Sequence, residues 1–598
     1  MTHTEPALPR AEPAYFSSNG RACLRLLHRP APTAAVRDVG VVVCNPFGYE
    51  ALCAHRSLRH FAEEAAERGY PALRFDYDGT GDSAGDDLEP GRWAAWIESV
   101  RAAVRELRER TGVARVVLLG VRLGASIAVA AAVDDVDVGG VALIAPIASG
   151  RPWLRELRAL QATMGRAAPP PQFALPEEVQ ESVGFLLTPE TRTALESIDL
   201  LALGSRLPPE LLLIDRDDRP SQEALAERWR AEGRTVRHAV LPGFVEMMFD
   251  PNESVVPVGI VAEVMGWLST TFPAERSVAV HQSTGVVDSR ASAVGDSAEV
   301  VAAGVEERLH LFGEGQRLFG VVTAPAGTRP ARALLLLNAG ANHHVGNGRM
   351  YVKFARRLAA AGWLVLRYDV SGIGDSLTHA GAPENEVYTP HGVGDLSTAL
   401  EFLRREYSPQ RIEAMGLCSG AYHAFKGAVA ELPIDGVTVV NPLVFFWKPG
   451  MSLAYPPFQM VQAAAQYQRS MLQAAKWVKL IRGRVDLREI VKVVAHRVED
   501  RTRSAAREIA RAMHLPVHED LAAELSSVVR RGAALRFVFS VGDPGEALLR
   551  VGAGRRLAKL DETGGVSLAY LTDCDHSLSS AWMHESLWAR LAPALESP

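Results

Sequence analysis

Residues 411–422 read RIEAMGLCSGAY, a short mostly apolar run that stops at a Gly-X-Cys-X-Gly turn. A run of this length bounded by glycine suits a buried strand, and the tight turn CSGA then opens a helix. Small residues on both sides of Cys418 allow a sharp strand-to-helix turn that lifts its side chain above the sheet. The same alternation extends outward. ALLLLN (333–338), LVLRYD and VTVVNP read as strands. Between them, MYVKFARRLAAAGW (350–363) carries Val352, Phe354, Ala355, Leu358 and Ala359 at helical spacing, and LSTALEFLRREY (396–407) is a second helix. Apolar strands alternating with helices imply an α/β architecture, a mostly parallel, doubly wound sheet covered on both faces. Its functional site is expected at the carboxyl ends of the strands.

The chain repeats this pattern. RFDYDGTGDS (74–83) returns as RYDVSGIGDS (367–376), and Asn45 of VVVCNPFGYE returns as Asn338 of LLLLNAGANHH, both at an offset of 293. VVLLGVRLGAS returns as AMGLCSGAY, and VALIAPIA as VTVVNPLV, both at an offset of 296. Generic strand–turn–helix texture explains strands but not an identical GDS, so the 598 residues read as a duplication. The reading gives a first domain over 1–272, a linker over 273–305 rich in Ser, Ala and Val, and a second domain over 306–598.

Composition narrows the classes. Seventy acidic residues against sixty-four Lys and Arg leave a net charge of −6, which argues against nucleic acid as a partner. The five cysteines are scattered, with no disulfide framework and no CxxC pair, so a reducing, cytoplasmic setting is expected. No basic-then-apolar leader and no bilayer-length apolar run is present, so no integral membrane segment is expected. The Gly-rich loops lack nucleotide-binding spacing, and no metal or cofactor is expected. A homo-oligomer stays open.

Three residues carry candidate chemistry. Cys418 stands at the centre of the turn; a helix N-terminus favours its thiolate and offers the Ser419 N–H as an oxyanion donor. A second donor is expected near Ala339 and Gly340. LRFVFSVGDPGEAL ends a strand at Asp543, and VSLAYLTDCDHSL ends the next at His576. Nucleophile, acid and histidine in that order suit a triad: His576 would take the Cys418 proton while Asp543 fixes the imidazole. His343 and His344 are candidates for lining the pocket.

FDYDGTGDSAG, YDVSGIGDS, the GLCSG turn and the strand-end GDPG followed by DH are similar to the serine aminopeptidase-like branch of the α/β-hydrolase superfamily. In texture they resemble the exosortase-associated and related biosynthetic-cluster hydrolases. The resemblance covers both halves and implies two tandem α/β-hydrolase domains, with a helical cap inserted in the second over about 447–535. It departs at the turn centre, where the pattern has Ser and this chain has Cys418.

The first half departs further. Its turn is Gly-Val-Arg-Leu-Gly with Arg122 at the centre, and LPGFVEMMFDP puts Glu246 where the second half has His576. A guanidinium stays protonated and is no nucleophile, so this copy is expected to be inactive, with either an Arg122–Glu246 ion pair plugging it or Arg122 simply pointing to solvent. In the cap, eleven Lys and Arg against five acids between residues 476 and 511 suggest an entrance for an anionic substrate, against the plainer reading of a solvated helix face. The expected function is acyl transfer through a Cys418 acyl-enzyme, from a CoA or acyl-carrier-protein thioester to an alcohol, amine or water. Simple ester or thioester hydrolysis is the alternative within the same class. A non-catalytic ligand- or partner-binding protein is the alternative from another.

Overall fold

The computed structural model describes residues 11–31, 34–165, 168–176, 178–273, 298–448, 450–451 and 518–596. Most of the expected linker and cap, including the basic stretch 476–511, lies outside the described residues. The chain forms two compact units. The first takes in 1–330, 341–385 and 579–588; the second takes in 331–340, 386–578 and 589–598.

In the first unit the strands are β1 (Ala11–Ser18), β2 (Arg21–His28), β3 (Val39–Cys44), β4 (Ala72–Phe75), β5 (Arg115–Val121), β6 (Val138–Ile144), β7 (Gln180–Ser182), β8 (Phe185–Leu187), β9 (Glu210–Arg216) and β10 (Thr235–Leu241). Eight of them make one sheet in the order β1-β2-β4-β3-β5-β6-β9-β10, while β7 and β8 form a separate hairpin. The pairs β1/β2 and β2/β4 are antiparallel and every other pair in the sheet is parallel. Alternate residues of a buried strand feed opposite cores. Val41 and Val43 pack with Leu58 and Phe61 of the helix Tyr49–Glu67 and with Val264 and Trp267 of Val258–Thr271. Val42 and Cys44 pack with Trp96 and Val100 of Arg92–Thr111 and with Leu123 and Ile127 of Leu123–Ala132.

The pattern recurs in chain order. β11 (Glu299–Ala302), β12 (Val305–Phe312) and β13 (Leu318–Pro325) belong to the first unit, β14 (Arg332–Leu337) to the second, and β15 (Leu364–Tyr368) again to the first. In the first unit β12, β13 and β15 pair antiparallel, as β1, β2 and β4 do. In the second, β14 is followed by β16 (Arg411–Leu417), β17 (Gly436–Val440), β18 (Ala534–Ser540) and β19 (Val566–Leu571), each paired parallel to the next, as β3, β5, β6, β9 and β10 are. The fold is α/β, with two hydrolase-type, mostly parallel sheets.

The repeated GDS acts as a loop lock. Asp76 Oδ2 accepts the Asp82 N–H at 2.9 Å, and Asp369 Oδ2 accepts the Asp375 N–H at 3.0 Å. A Cβ on Gly81 would lie 2.0 Å from the Asp76 carboxylate, and one on Gly374 2.2 Å from that of Asp369, so both positions require glycine. Ser83 and Ser376 close the turns by donating to the carbonyls of Asp76 and Asp369 at 2.7 and 2.6 Å. Within the first unit the two loops then exchange partners. Arg367, from the second repeat, binds Asp82 of the first, and Arg74, from the first, binds Asp375 of the second at 2.6 Å.

His344 sits inside this cluster and is 2% exposed. Its Nδ1 lies 2.8 Å from Asp369 Oδ2 and its Nε2 2.6 Å from Asp82 Oδ2. Burial opposes a charge on the ring, but the two carboxylates hold its pKa well above the usual histidine value. Burial likewise opposes the Asp82 charge, yet Arg367 and His344 hold its pKa far below the carboxylate range. His344 is therefore a structural cation and not a pocket-lining residue, a correction to the sequence reading. Glu307 completes the cluster, accepting from Arg367 at 3.0 Å, Arg356 at 3.1 Å and Tyr15 at 3.0 Å.

Breaking one partner of a buried pair strands the other charge, which costs more than the pair contributes. Arg367→Met should lower stability by about 3–5 kcal/mol in a denaturant titration. The lowered Asp82 pKa adds stability above the ordinary carboxylate range, lost as pH falls through the folded value. The raised His344 pKa adds stability below its unfolded value, lost only as pH rises through its high folded value. The cluster should thus be sensitive to acid rather than to mild alkali.

Candidate active site

Cys418 caps the helix Ser419–Val429 with φ 57° and ψ −114°, a conformation costly for a residue carrying a Cβ. Its surroundings impose it. The Cys418 N–H is held by the Val440 carbonyl of β17 at 3.0 Å. Close packing of the flanking backbone does the rest: a Cβ on Gly416 would lie 2.0 Å from the Gly420 carbonyl carbon, and one on Gly420 2.5 Å from the Asn338 oxygen. Arg122 copies this geometry with φ 53° and ψ −120°, its N–H held by the Ile144 carbonyl at 3.0 Å. Both repeats thus keep the elbow and differ in what it presents.

Cys418 is partly exposed, whereas Cys23, Cys44, Cys53 and Cys574 are buried. Burial pushes the thiols of Cys23 and Cys53 up to about 12 and that of Cys44 higher still, which keeps them protonated and unreactive.

Asp543 follows β18 and caps the helix Pro544–Ala553, one carboxylate oxygen accepting the Gly545 N–H at 2.9 Å. Its other oxygen accepts from His576 Nδ1 at 2.7 Å. Glu546, the competing acid, is occupied by Arg550 and Tyr570. Burial opposes the imidazolium, but Asp543 and the adjacent Cys418 thiol raise the His576 pKa to about 10. Among the described residues His576 Nε2 is buried without a hydrogen-bond partner, which leaves that nitrogen available to exchange a proton. The elbow, the imidazole and the carboxylate therefore meet in the second unit.

The Ser419 N–H opens the helix beside Cys418. The Gly340 N–H, expected as an oxyanion donor, donates to Ser419 Oγ at 3.0 Å, and Ala339 beside it is buried. His343 lies in the first unit with its ring stacked on His55 at 4.1 Å. It borders a cavity of about 80 Å³ together with Phe47, Tyr77 and Trp96.

The expected Arg122–Glu246 pair does not form, a second correction. Arg122 binds Glu50 at 2.8 Å and Glu156 at 2.6 Å, while Glu246, on the short helix Phe244–Met247, is exposed. The two partners come from the helices Tyr49–Glu67 and Gly150–Met164, and the charge is satisfied before Glu246 could reach it.

Two contributors carry no motif. Asn441, fully buried with φ 43° at the end of β17, donates to Ser540 Oγ and to the His576 carbonyl at 2.9 Å each, and accepts the Ser540 N–H at 2.7 Å. It ties the histidine loop to the acid strand. The repeat offset was the signal that could have found it, since it sets Asn441 opposite Ala145, which has the same positive φ of 47° and no amide. The second, Tyr388, is buried with its ring against Tyr422 and His423 of the helix that Cys418 caps. Asn441→Ala should leave the chain folded and lower turnover on the order of 10²-fold by displacing His576, checked by steady-state kinetics beside circular dichroism.

Among the described residues no cluster of His, Cys, Asp and Glu suits a metal ion, and no helix is long and apolar enough to cross a membrane. None of the curated proteins matches the chain. Solved structures similar to part of it include an α/β serine hydrolase without a lid from Xanthomonas campestris, at 15% identity and TM-score 0.30, covering 46% of this chain and 100% of that one. Others are the Est1E protein of Butyrivibrio proteoclasticus with ferulic acid bound (16% identity, TM-score 0.34, covering 43% and 99%) and a proline iminopeptidase of Mycobacterium smegmatis (16%, 0.32, covering 44% and 100%). The family model for serine aminopeptidase S33 matches residues 53–197 and 329–510, together more than half of the sequence. With an elbow in each repeat and a histidine–carboxylate pair beside the second, the chain belongs to the serine aminopeptidase S33 family of α/β hydrolases.

Proposed function

We propose that the second repeat is a cysteine acyltransferase whose nucleophile is Cys418, with His576 as general base and acid and Asp543 as its orienting carboxylate. The observation that carries this reading is the strained elbow presenting a partly exposed thiol beside an imidazole that Asp543 holds at 2.7 Å. His576 takes the Cys418 proton as the sulfur adds to the acyl carbonyl carbon of a thioester donor, while the Ser419 N–H faces the developing oxyanion. The intermediate collapses by breaking the donor's C–S bond, and His576 gives its proton to the departing thiolate. An alcohol, amine or water then loses its proton to His576 and attacks the acyl carbon. The C–S bond to Cys418 breaks, and His576 returns that proton to the sulfur to restore the thiol.

An acyl-cysteine is itself a thioester, so capture by an alcohol or amine runs downhill, which favours transfer wherever water is excluded. CoA and carrier-protein thioesters are the donors proposed, and hydrolysis is the same mechanism with water as acceptor. The first repeat, with Arg122 neutralised at its elbow, takes no part in the acyl chemistry. We read the domain division as 1–272 and 306–598.

Intact-mass analysis after incubation with acyl-CoA and acyl-pantetheine probes should show one acyl adduct on the wild type and none on Cys418→Ala. An adduct that survives in Cys418→Ala, or none with any donor, would sink the mechanism. His576→Ala should lower turnover by at least about 10²-fold with the fold intact. Turnover should fall on the alkaline side with a midpoint near 10, where the Asp543-supported imidazolium loses the proton it delivers. A midpoint near the ordinary histidine value would remove that role.

A further inference from the structure

We propose that the first repeat binds a small alkylammonium ion in an aromatic cavity, with the Asp76 carboxylate as its counter-ion. The site lies within the first unit and does not depend on the reading of Cys418.

The cavity is the one of about 80 Å³ that His343 borders, and all of its walls belong to the first unit. It stands at the carboxyl ends of β3 and β4 and against the helix that Arg122 caps, which contributes Leu123 and Ile127. Its rings form a box. Phe47 meets Trp96 with centroids 5.6 Å apart and Phe185 with centroids 5.9 Å apart, and Tyr77 lines the same space. The polar atoms of two of these rings are already engaged. Trp96 Nε1 donates to the Asp78 carbonyl at 3.2 Å, and the Tyr77 hydroxyl donates to the Asn45 carbonyl at 3.0 Å. What the rings offer a ligand is π-surface, which attracts cations. The volume is about half of the roughly 150 Å³ at which an apolar cavity takes up benzene, so the ligand has only a few heavy atoms.

One charge in this wall has no partner of opposite sign. Asp76 Oδ2 accepts the Asp82 N–H, a backbone group, and among the described residues no lysine, arginine or histidine forms an ion pair with Asp76. The other charged groups of the wall are engaged. Arg92 binds Asp78 at 2.6 Å and Glu89 at 3.2 Å, and Lys353 stands 3.4 Å from Asp87. Arg349 donates to the carbonyls of Gly79, Gly81, Ser83 and Gly85. His343 is held neutral by burial, and His55 Nε2 lies 3.4 Å from Asp375 Oδ2. Burial first, then the charge of Asp82, push the Asp76 carboxyl up to about 6, the direction of a carboxylate without a cation at contact distance.

The second repeat displays the partner that such a carboxylate takes. At the offset of 293, Asp76 corresponds to Asp369 and Ala51 to His344. Asp369 Oδ2 lies 2.8 Å from His344 Nδ1, a ring that two carboxylates hold as a cation. In the first repeat that chain position is a methyl group, Ala51 inside the helix Tyr49–Glu67, and it lines the cavity. The first repeat thus keeps the carboxylate and carries no cationic side chain at the matching position. An N–H-bearing cation from solution satisfies both parts of the site at once. Its charge meets the ring faces, and its N–H makes a charge-assisted bond to Asp76 in an apolar surrounding.

The test is isothermal titration calorimetry of the full chain at neutral pH with butylammonium, 1-butanol and butanoate, three probes of similar shape and different charge. Butylammonium should bind one site with a Kd of about 1 mM or tighter, 1-butanol at least about tenfold more weakly, and butanoate not at all. Asp76→Asn keeps an oxygen for the Asp82 N–H and removes the charge, so it should erase the preference for butylammonium over 1-butanol. Phe185→Leu keeps an apolar wall and removes one ring, so it should weaken butylammonium several-fold and leave 1-butanol little changed. Circular dichroism checks that both variants are folded. Equal affinities for butylammonium and 1-butanol, or no saturable heat with butylammonium, would overturn the site. Wild-type affinity for butylammonium in Asp76→Asn would do the same. Where Asp76→Asn does not fold, the wild-type series and Phe185→Leu decide, and an unchanged butylammonium affinity in Phe185→Leu also overturns it.

Discussion

Both repeats depend on one constraint, a residue bearing a Cβ that is forced to positive φ between a strand and a helix. Glycines on either side let backbone pass backbone at distances no other residue permits. The neighbouring strand holds the central N–H, so the helix begins at the carboxyl edge of the sheet. The side chain at the centre, Arg122 or Cys418, has no freedom to turn inward. Everything else about the two sites follows from what stands at that point. A guanidinium there attracts carboxylates from the nearest helices and is silenced. A thiol carries no such charge and stays partly exposed.

The strain in the elbow also explains why the supporting parts are polar and buried. The elbow is rigid backbone, whereas His576 lies in a loop. Asn441 and Ser540 tie that loop to the ends of two strands, and Asp543 gives one oxygen to a helix start and the other to the imidazole. Each of these groups satisfies a hydrogen bond of the fold and sets an atom of the site. Positioning and stability are then the same interactions, and separating them experimentally needs substitutions that change one atom at a time.

The sequence was legible where local pattern and tertiary position coincide. Apolar runs bounded by glycine became the parallel strands, because burial on both faces leaves no alternation to confuse them. Cys418, Asp543 and His576 stood out because each follows directly from a strand end. Legibility failed where side chains reach across the fold. Nothing local to Arg122 says that Glu50 and Glu156, far from it in sequence, arrive before Glu246 can. His344 follows a strand as a pocket residue would, yet two buried aspartates capture both of its ring nitrogens. Tyr388 sits in a loop without periodicity, and only its ring contacts with Trp447, Tyr422 and His423 hold it against the helix that Cys418 caps.

The crossed pairing of Arg74 with Asp375 and Arg367 with Asp82 bears on how the chain can change. Each repeat supplies the counter-ion for a buried charge of the other, so neither GDS loop can drift alone without stranding an arginine. The first repeat has Arg122 at the elbow where the second has Cys418. Residues of RFDYDGTGDS pair instead with the other repeat. The two loops are thus coupled: a change at Asp82 or Asp375 is felt at an arginine of the other repeat, whatever side chain either elbow presents.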